Sequence, residues 1–401
     1  MSAPGHISER SPTNVTADIG VLSALLLVAL NLRPAMASLG PVLEQVRASL
    51  RLSYGVAGLL SSVPIVCMGL FASLAMPLSA RFGMRNSIFG ATLLIGGATL
   101  LRMQVTLFSQ LCSLLLTGAS IAVLGPLLSA YIKQQFPERS ARISSWVTTA
   151  LCLGAALAAG SSAILSDYLG WPCALSSWAL LAFVAAWLWQ RNIPVIVASA
   201  PRASRLPWRN LRAWQLLLTF GLNSLVFYSL LAWLAPAFIS VGVSAARAGQ
   251  LLGVFAIVQI VGTALISMLP PQQRERRPAL LLCGLATATG LFGMWQAPLA
   301  AAYLWMSLLG AGSAGLFALS LILPLDYSDS PTAAGDWMAM MSSGGYLIAA
   351  AGPYLCGALR DATGSYVGVF AALLLVSCTA LLLGLLLGPA SSKHSEAEHA
   401  L

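Results

Sequence analysis

DIGVLSALLLVALNLRPAMASLGP, residues 18–41, is an unbroken apolar run that starts at Asp18 and meets its next acid at Glu44. A bilayer crossing takes roughly 20 apolar residues at about 1.5 Å each, so this run is one membrane span. The residues before it are polar, and no small-residue cleavage site follows it. It therefore reads as a retained span and not as a signal peptide. A single charge, Arg33, interrupts the run within about 3 Å of its midpoint. Pro34 follows directly; it cannot continue the backbone ladder, so a carbonyl is freed and the helix can bend there.

The rest of the chain repeats the pattern. Further apolar runs cover about 54–79, 87–106, 108–133, 142–166, 171–190, 213–241, 247–270, 278–296, 298–325, 335–358 and 365–388. Of 401 residues, 21 are Lys or Arg and 12 are Asp or Glu, which is 8% charged against 58% hydrophobic. Ordinary soluble domains carry about 25% charge. A soluble enzyme or a disordered chain is excluded, because too little polar surface exists to face water. The fold class is all-α integral membrane, with twelve transmembrane helices and no room for a large soluble domain.

Sorting the basic residues by side gives the topology. Fifteen lie in alternate segments that begin with the N-terminal tail, five in the others, and Arg33 completes the 21. By the positive-inside rule, both termini are expected in the cytoplasm of a bacterial inner membrane. The longest inner segment, 191–212, holds Pro194, Pro201, Pro207 and five arginines. It reads as a linker between two six-span halves, 18–190 and 213–388, flanked by tails at 1–17 and 389–401. The paired prolines Pro270-Pro271 mark an inner helix end, and the loop of Asp326, Asp329 and Asp336 reads as solvated. The halves repeat weakly. Leu30-Asn31 matches Leu222-Asn223, and Ser53-x3-Ala57-Gly58 matches Ser244-x3-Ala248-Gly249. Parallel repeats of this kind place a substrate site near the midplane between them.

Several functions are excluded. The positive charges lie singly in loops without interleaved aromatics, so no nucleic-acid face exists. The seven cysteines fall in apolar runs without a CxxC pair, and His6, His394 and His399 lie in the tails, so no cofactor or metal is expected. No GxxxxGK[ST] loop and no nucleophile–base pair argue for a pump or an enzyme.

Asn31-Leu32-Arg33-Pro34, Gly40-Pro41, Ala57-Gly58-Leu59-Leu60, Arg81-Phe82-Gly83-Met84, Ile132-Lys133, Asn223-Ser224-Leu225-Val226 with Tyr228, and Gly345-Tyr346-Leu347 with Asp361-Ala362-Thr363-Gly364 occur in this order. The set resembles the cyanate and 2-nitroimidazole transporter branch of the major facilitator superfamily. The resemblance implies two pseudo-symmetric six-helix bundles and alternating access. The chain departs from the family in carrying Ala80 before Arg81, Gly125-Pro126 and Ser129 in span 4, and Ser342 where the family carries a Gln.

Ionisable groups inside a membrane are costly and usually functional. Arg33 is expected to face a central cavity and hold an anion. Asn31, Asn223, Ser224, Tyr228, Tyr346 and Ser342 are the expected amide, hydroxyl and aromatic contacts around a small solute; Asn and Ser in spans also serve as interhelical glue. No Asp, Glu or His falls mid-span. That leaves a facilitator, or a proton carried by the solute itself or by a peripheral carboxylate such as Glu44 or Asp336. The expected function is uptake of a small polar or anionic, cyanate-like solute by a monomer, with export of small organic compounds such as 2-nitroimidazoles as the alternative.

Overall fold

Twelve spans run back and forth through the computed structural model, which describes residues 12–194, 206–268, 276–328 and 331–387. Span 1 is Pro12–Asn31, Pro34–Ala37 and Leu39–Leu50; span 2 is Tyr54–Phe71 and Ala75–Phe82. Spans 3 to 6 are Met84–Leu100, Leu107–Gln135, Ser140–Leu169, and Trp171–Ser176 with Trp178–Asn192. Spans 7 to 12 are Leu211–Ser240, Ala245–Ser267, Arg277–Gln296, Ala302–Tyr327, Pro331–Thr363 and Val367–Leu385. Among the described residues, ten helices are long and apolar enough alone to cross a membrane. The other two are span 3, of 17 residues, and span 11, whose Gly, Ser and Ala residues dilute its apolar content. The outer parts of both tails, the linker residues 195–205 and the Pro270-Pro271 helix end lie outside the described residues, as do the three histidines and Asp329.

Local chemistry sets the turns. Ser53, Thr106, Asn210 and Ser244 each cap the helix they precede by accepting from its first free N–H groups. Spans 2 and 3 are joined through Gly83 at φ +82°, and spans 5 and 6 through Gly170 at φ +77°, backbone geometry that glycine adopts without strain. Span 1 departs from the hydropathy reading. Its helix breaks at Leu32-Arg33 but resumes, and Leu39–Leu50 carries it well beyond residue 41. The polar pair that ended the apolar run neutralises itself, since Arg47 bonds Glu44 at 2.5 Å.

Spans 1–6 pack on one another, as do spans 7–12. The halves meet through span 2 on span 11, span 5 on span 8, and Leu39–Leu50 on spans 7 and 8. An even number of crossings puts the start of span 1 and the end of span 12 on one face, here the terminal face. The largest apolar cluster joins the two halves and draws on the opposite ends of the spans, with Leu43, Val46, Trp233, Phe238 and Ala248 at its centre. The remaining clusters each stay within one half. Among the described residues, the halves are therefore sealed at the far face and parted toward the terminal face.

Candidate functional site

Between the parted halves lies a cavity of about 230 Å³. The break in span 1 creates one wall. Met36 and Ala37 both direct their N–H groups to the Arg33 carbonyl, so Pro34–Ala37 forms a short turn next to Arg33, which lines the cavity. Arg102 fixes this turn from behind. It sits in the link between spans 3 and 4 yet is only 1% exposed. Its Nη2 donates to the Ala35 carbonyl at 2.9 Å and its Nε to Ser113 Oγ at 3.2 Å. The helix is interrupted a second time at Ser38, and the Ala35 carbonyl left over there is thus satisfied by a buried guanidinium.

Arg33 lies over the Phe227 ring at 5.4 Å. Its guanidinium face is occupied, and none of the described residues accepts a hydrogen bond from its N–H edge. Asn223, Ser224, Tyr228 and Tyr346 line the same cavity. The Asn223 amide nitrogen and Ser224 Oγ are buried and have no hydrogen-bond partner among the described residues. The Tyr228 hydroxyl donates to the Met68 sulfur at 3.7 Å, and the rings of Tyr228 and Tyr346 meet edge-on at 6.3 Å. Among the described residues no Asp, Glu or His lines the cavity, and Arg33 is its one charged group.

Two of the expected residues lie elsewhere. Asn31 ends the first piece of span 1 and is buried in packing, 2% exposed. Ser342 is half-buried one turn from Tyr346 on span 11 and is not part of the wall. The cavity also takes Thr148, Cys152, Gln259, Thr263 and Ser313 from spans 5, 8 and 10. In sequence these are small or neutral polar groups within apolar helices, where interhelical contact is the ordinary role; nothing separates them from glue. Phe227 and Phe317 likewise read as core aromatics.

The far-face seal closes the other end. The Asp361 carboxylate on span 11 accepts from the backbone N–H groups of Tyr54 at 2.9 Å and Gly55 at 2.7 Å, capping span 2 from the opposite half. Trp233 Nε1 donates to the Pro353 carbonyl of its own half at 2.8 Å, and its ring lies 6.1 Å from that of Tyr54 in the other half. The Tyr54 ring is held between Arg47 at 4.3 Å and Arg360 at 4.9 Å. Trp233 therefore belongs to the seal and not to the cavity. The acidic 326–336 loop contributes nothing to an inter-half contact through Asp326, which pairs with Arg276 of its own half at 3.2 Å.

Two six-helix bundles around a midplane cavity, sealed at one face and parted at the other, define a carrier that exposes its site to one side of a membrane at a time. The chain belongs to the Major Facilitator Superfamily, whose family model matches residues 25–327. It is 34% identical over 354 residues to the cyanate transport protein CynX of Escherichia coli (strain K12), covering 86% of this chain and 91% of that one. To the 2-nitroimidazole transporter of the same organism it is 32% identical over 356 residues, covering 87% and 90%. Among solved structures, the inward-open xylose transporter XylE from E. coli matches with a TM-score of 0.75 at 14% identity, covering 94% of this chain and 97% of that one. A D-xylose-proton symporter matches with a TM-score of 0.74 at 16% identity, covering 94% and 99%. This is a multi-pass membrane protein of a transporter family, and not an enzyme.

Proposed function

We propose that this transporter takes up a small anionic solute by alternating access, with Arg33 as the group that holds the charge. The observation that carries the reading is the cavity's unbalanced cation: Arg33 has free N–H donors, and the cavity wall offers no carboxylate. A cation removed from water is costly unless paired, so an anion entering the cavity supplies what the protein omits. The unpartnered donors of Asn223 and Ser224 favour the same acceptor-rich solute. The similarity to a cyanate transport protein fits an anion of this kind.

The carrier works as a monomer, since one chain supplies both walls, and sits in a bacterial cytoplasmic membrane with both termini inside. The basic inner segments support that orientation. A proton moving with the solute rides on the solute, because the cavity offers it no acid or histidine. The boundary between the halves falls in the 191–212 linker.

The test is flux into vesicles of known orientation across matched pairs of anions and neutral amides. The reading expects anion flux that falls sharply in Arg33→Gln while expression holds. Equal flux of the neutral partners, unchanged in that variant, would overturn it. Export of 2-nitroimidazole faster than uptake of any anion would favour the opposite direction.

A further inference from the structure

The two halves contribute unlike chemistry to the cavity. The N-terminal half brings the charge, Arg33, with Met36, Met68, Ile121 and Leu151 as apolar wall. The C-terminal half brings the rings. Phe317 meets Phe220 at 5.8 Å, Phe220 meets Tyr346 edge-on at 5.3 Å, Tyr346 meets Tyr228 at 6.3 Å, and Tyr228 meets Phe227 edge-on at 5.0 Å. Phe227 in turn carries the Arg33 guanidinium on its face. Aromatic side chains thus run in an unbroken chain from the edge of the charge to the far wall, and all but Phe220 line the cavity.

Size separates the candidate anions. An apolar cavity of about 150 Å³ holds benzene, and this one measures about 230 Å³. A linear three-atom anion on Arg33 leaves most of that apolar wall in contact with water. A six-membered ring bearing one carboxylate covers more of that wall. Its carboxylate takes the guanidinium edge that Phe227 leaves free, in a bidentate pair. Its ring lies among the edges of Phe317, Tyr346 and Tyr228, an arrangement aromatic groups favour.

Resting on the reading of Arg33 as an anion holder, we propose that the solute class of this site is a flat-ring monocarboxylate, its carboxylate on the N-terminal half and its ring on the C-terminal half. Such a solute is the element that ties the halves together, because neither half alone recognises both of its ends.

The experiment is thermal unfolding of the purified full-length protein with benzoate, acetate, cyanate and benzamide. Benzoate is expected to stabilise with a half-saturating concentration at least about tenfold below those of acetate and cyanate, from ring burial. Benzamide, the neutral isostere, is expected to give no shift. Arg33→Gln should abolish the effect of every anion, and Arg33→Lys should keep part of it. Phe317→Leu should weaken benzoate toward acetate without altering acetate, and Phe317→Met gives the same reading if that variant fails to fold. Acetate or cyanate stabilising as well as benzoate, all lost in Arg33→Gln, would overturn the ring while the anion reading stands. Benzamide matching benzoate, or no shift with any probe, would overturn both.

Discussion

At the scale of single residues, the scarcity of charge made Arg33 legible. With 33 charged residues in 401, each one belongs to a loop or has to explain itself. Asn223 and Ser224 are different, because amides and hydroxyls inside spans are ordinarily glue. The structure gives a way to decide. Among the described residues, neither the Asn223 amide nitrogen nor Ser224 Oγ has a hydrogen-bond partner, so neither holds these helices together. Asn223→Ala and Ser224→Ala should therefore leave the melting temperature unchanged or slightly raised, since removing a buried unpaired donor costs the fold nothing. The same variants should raise KM for the anion about fivefold each, the worth of roughly 1 kcal/mol per neutral hydrogen bond. A fall in melting temperature with KM unchanged would return both residues to the role of glue. Thr148, Cys152, Gln259 and Ser313 escaped the sequence for the converse reason. Their side chains resemble those of dozens of packing positions, and only the assembled fold, in which spans 5, 8 and 10 each present one stretch to the space between the halves, sets them on a cavity wall.

At the scale of elements, two features of the sequence acquire causes. The run at 18–41 carried a proline at its centre, and the helix indeed breaks there, but its continuation to Leu50 was hidden because Glu44 and Arg47 look like an end. Arg102 is the support of that break. Arg102→Ala should leave the Ala35 carbonyl buried and unpaired, at about 1–3 kcal/mol, and should both lower the melting temperature and raise KM by loosening the turn that carries Arg33. Arg102→Lys should recover more of the first than of the second, because an ammonium lacks the planar fork that reaches Ala35 and Ser113 together. The second feature is the repeat of Ser53-x3-Ala57-Gly58 in Ser244-x3-Ala248-Gly249. Both serines cap the start of a span, and both glycines face a carbonyl of the opposite half. A Cβ on Gly58 would lie 2.2 Å from the Pro353 oxygen, and one on Gly249 would lie 2.6 Å from the Ala159 oxygen. The repeat therefore marks two of the three places where the halves close on each other. Gly58→Val should hold spans 2 and 11 apart at the far face, since backbone atoms leave nothing to give way. The expected result is a protein that still inserts and folds but transports at a few per cent of the normal rate; normal flux would show that the seal never needs this contact.

At the scale of the whole molecule, the cavity and the seal are alternatives that exchange during a transport cycle. In the conformation seen here the far face is closed by contacts that must all break before the site opens there. Asp361 makes the most specific of them, capping span 2 across the interface through two backbone N–H groups. A carboxylate at a helix N-terminus gains from both the capping bonds and the helix dipole, together about 1–2 kcal/mol. Asp361→Ala removes both the accepting oxygens and the charge. It should shift the balance between far-closed and far-open forms by about five- to thirtyfold, since 1.4 kcal/mol is a factor of ten. Hydrogen exchange reads this directly. Amides in the first turns of span 2, from Tyr54 to Leu60, and in the last turns of span 11 should exchange faster in the variant, while those of span 4, packed within one half, should not change. A general loss of stability would instead quicken exchange in both halves alike, and unchanged exchange at Tyr54 and Gly55 would show that the cap contributes nothing to keeping the far face shut. Because a bound solute that joins the halves must also weigh on this balance, the same measurement repeated with a saturating anion should change protection at the far-face amides in the wild type, and leave it unchanged in Arg33→Gln.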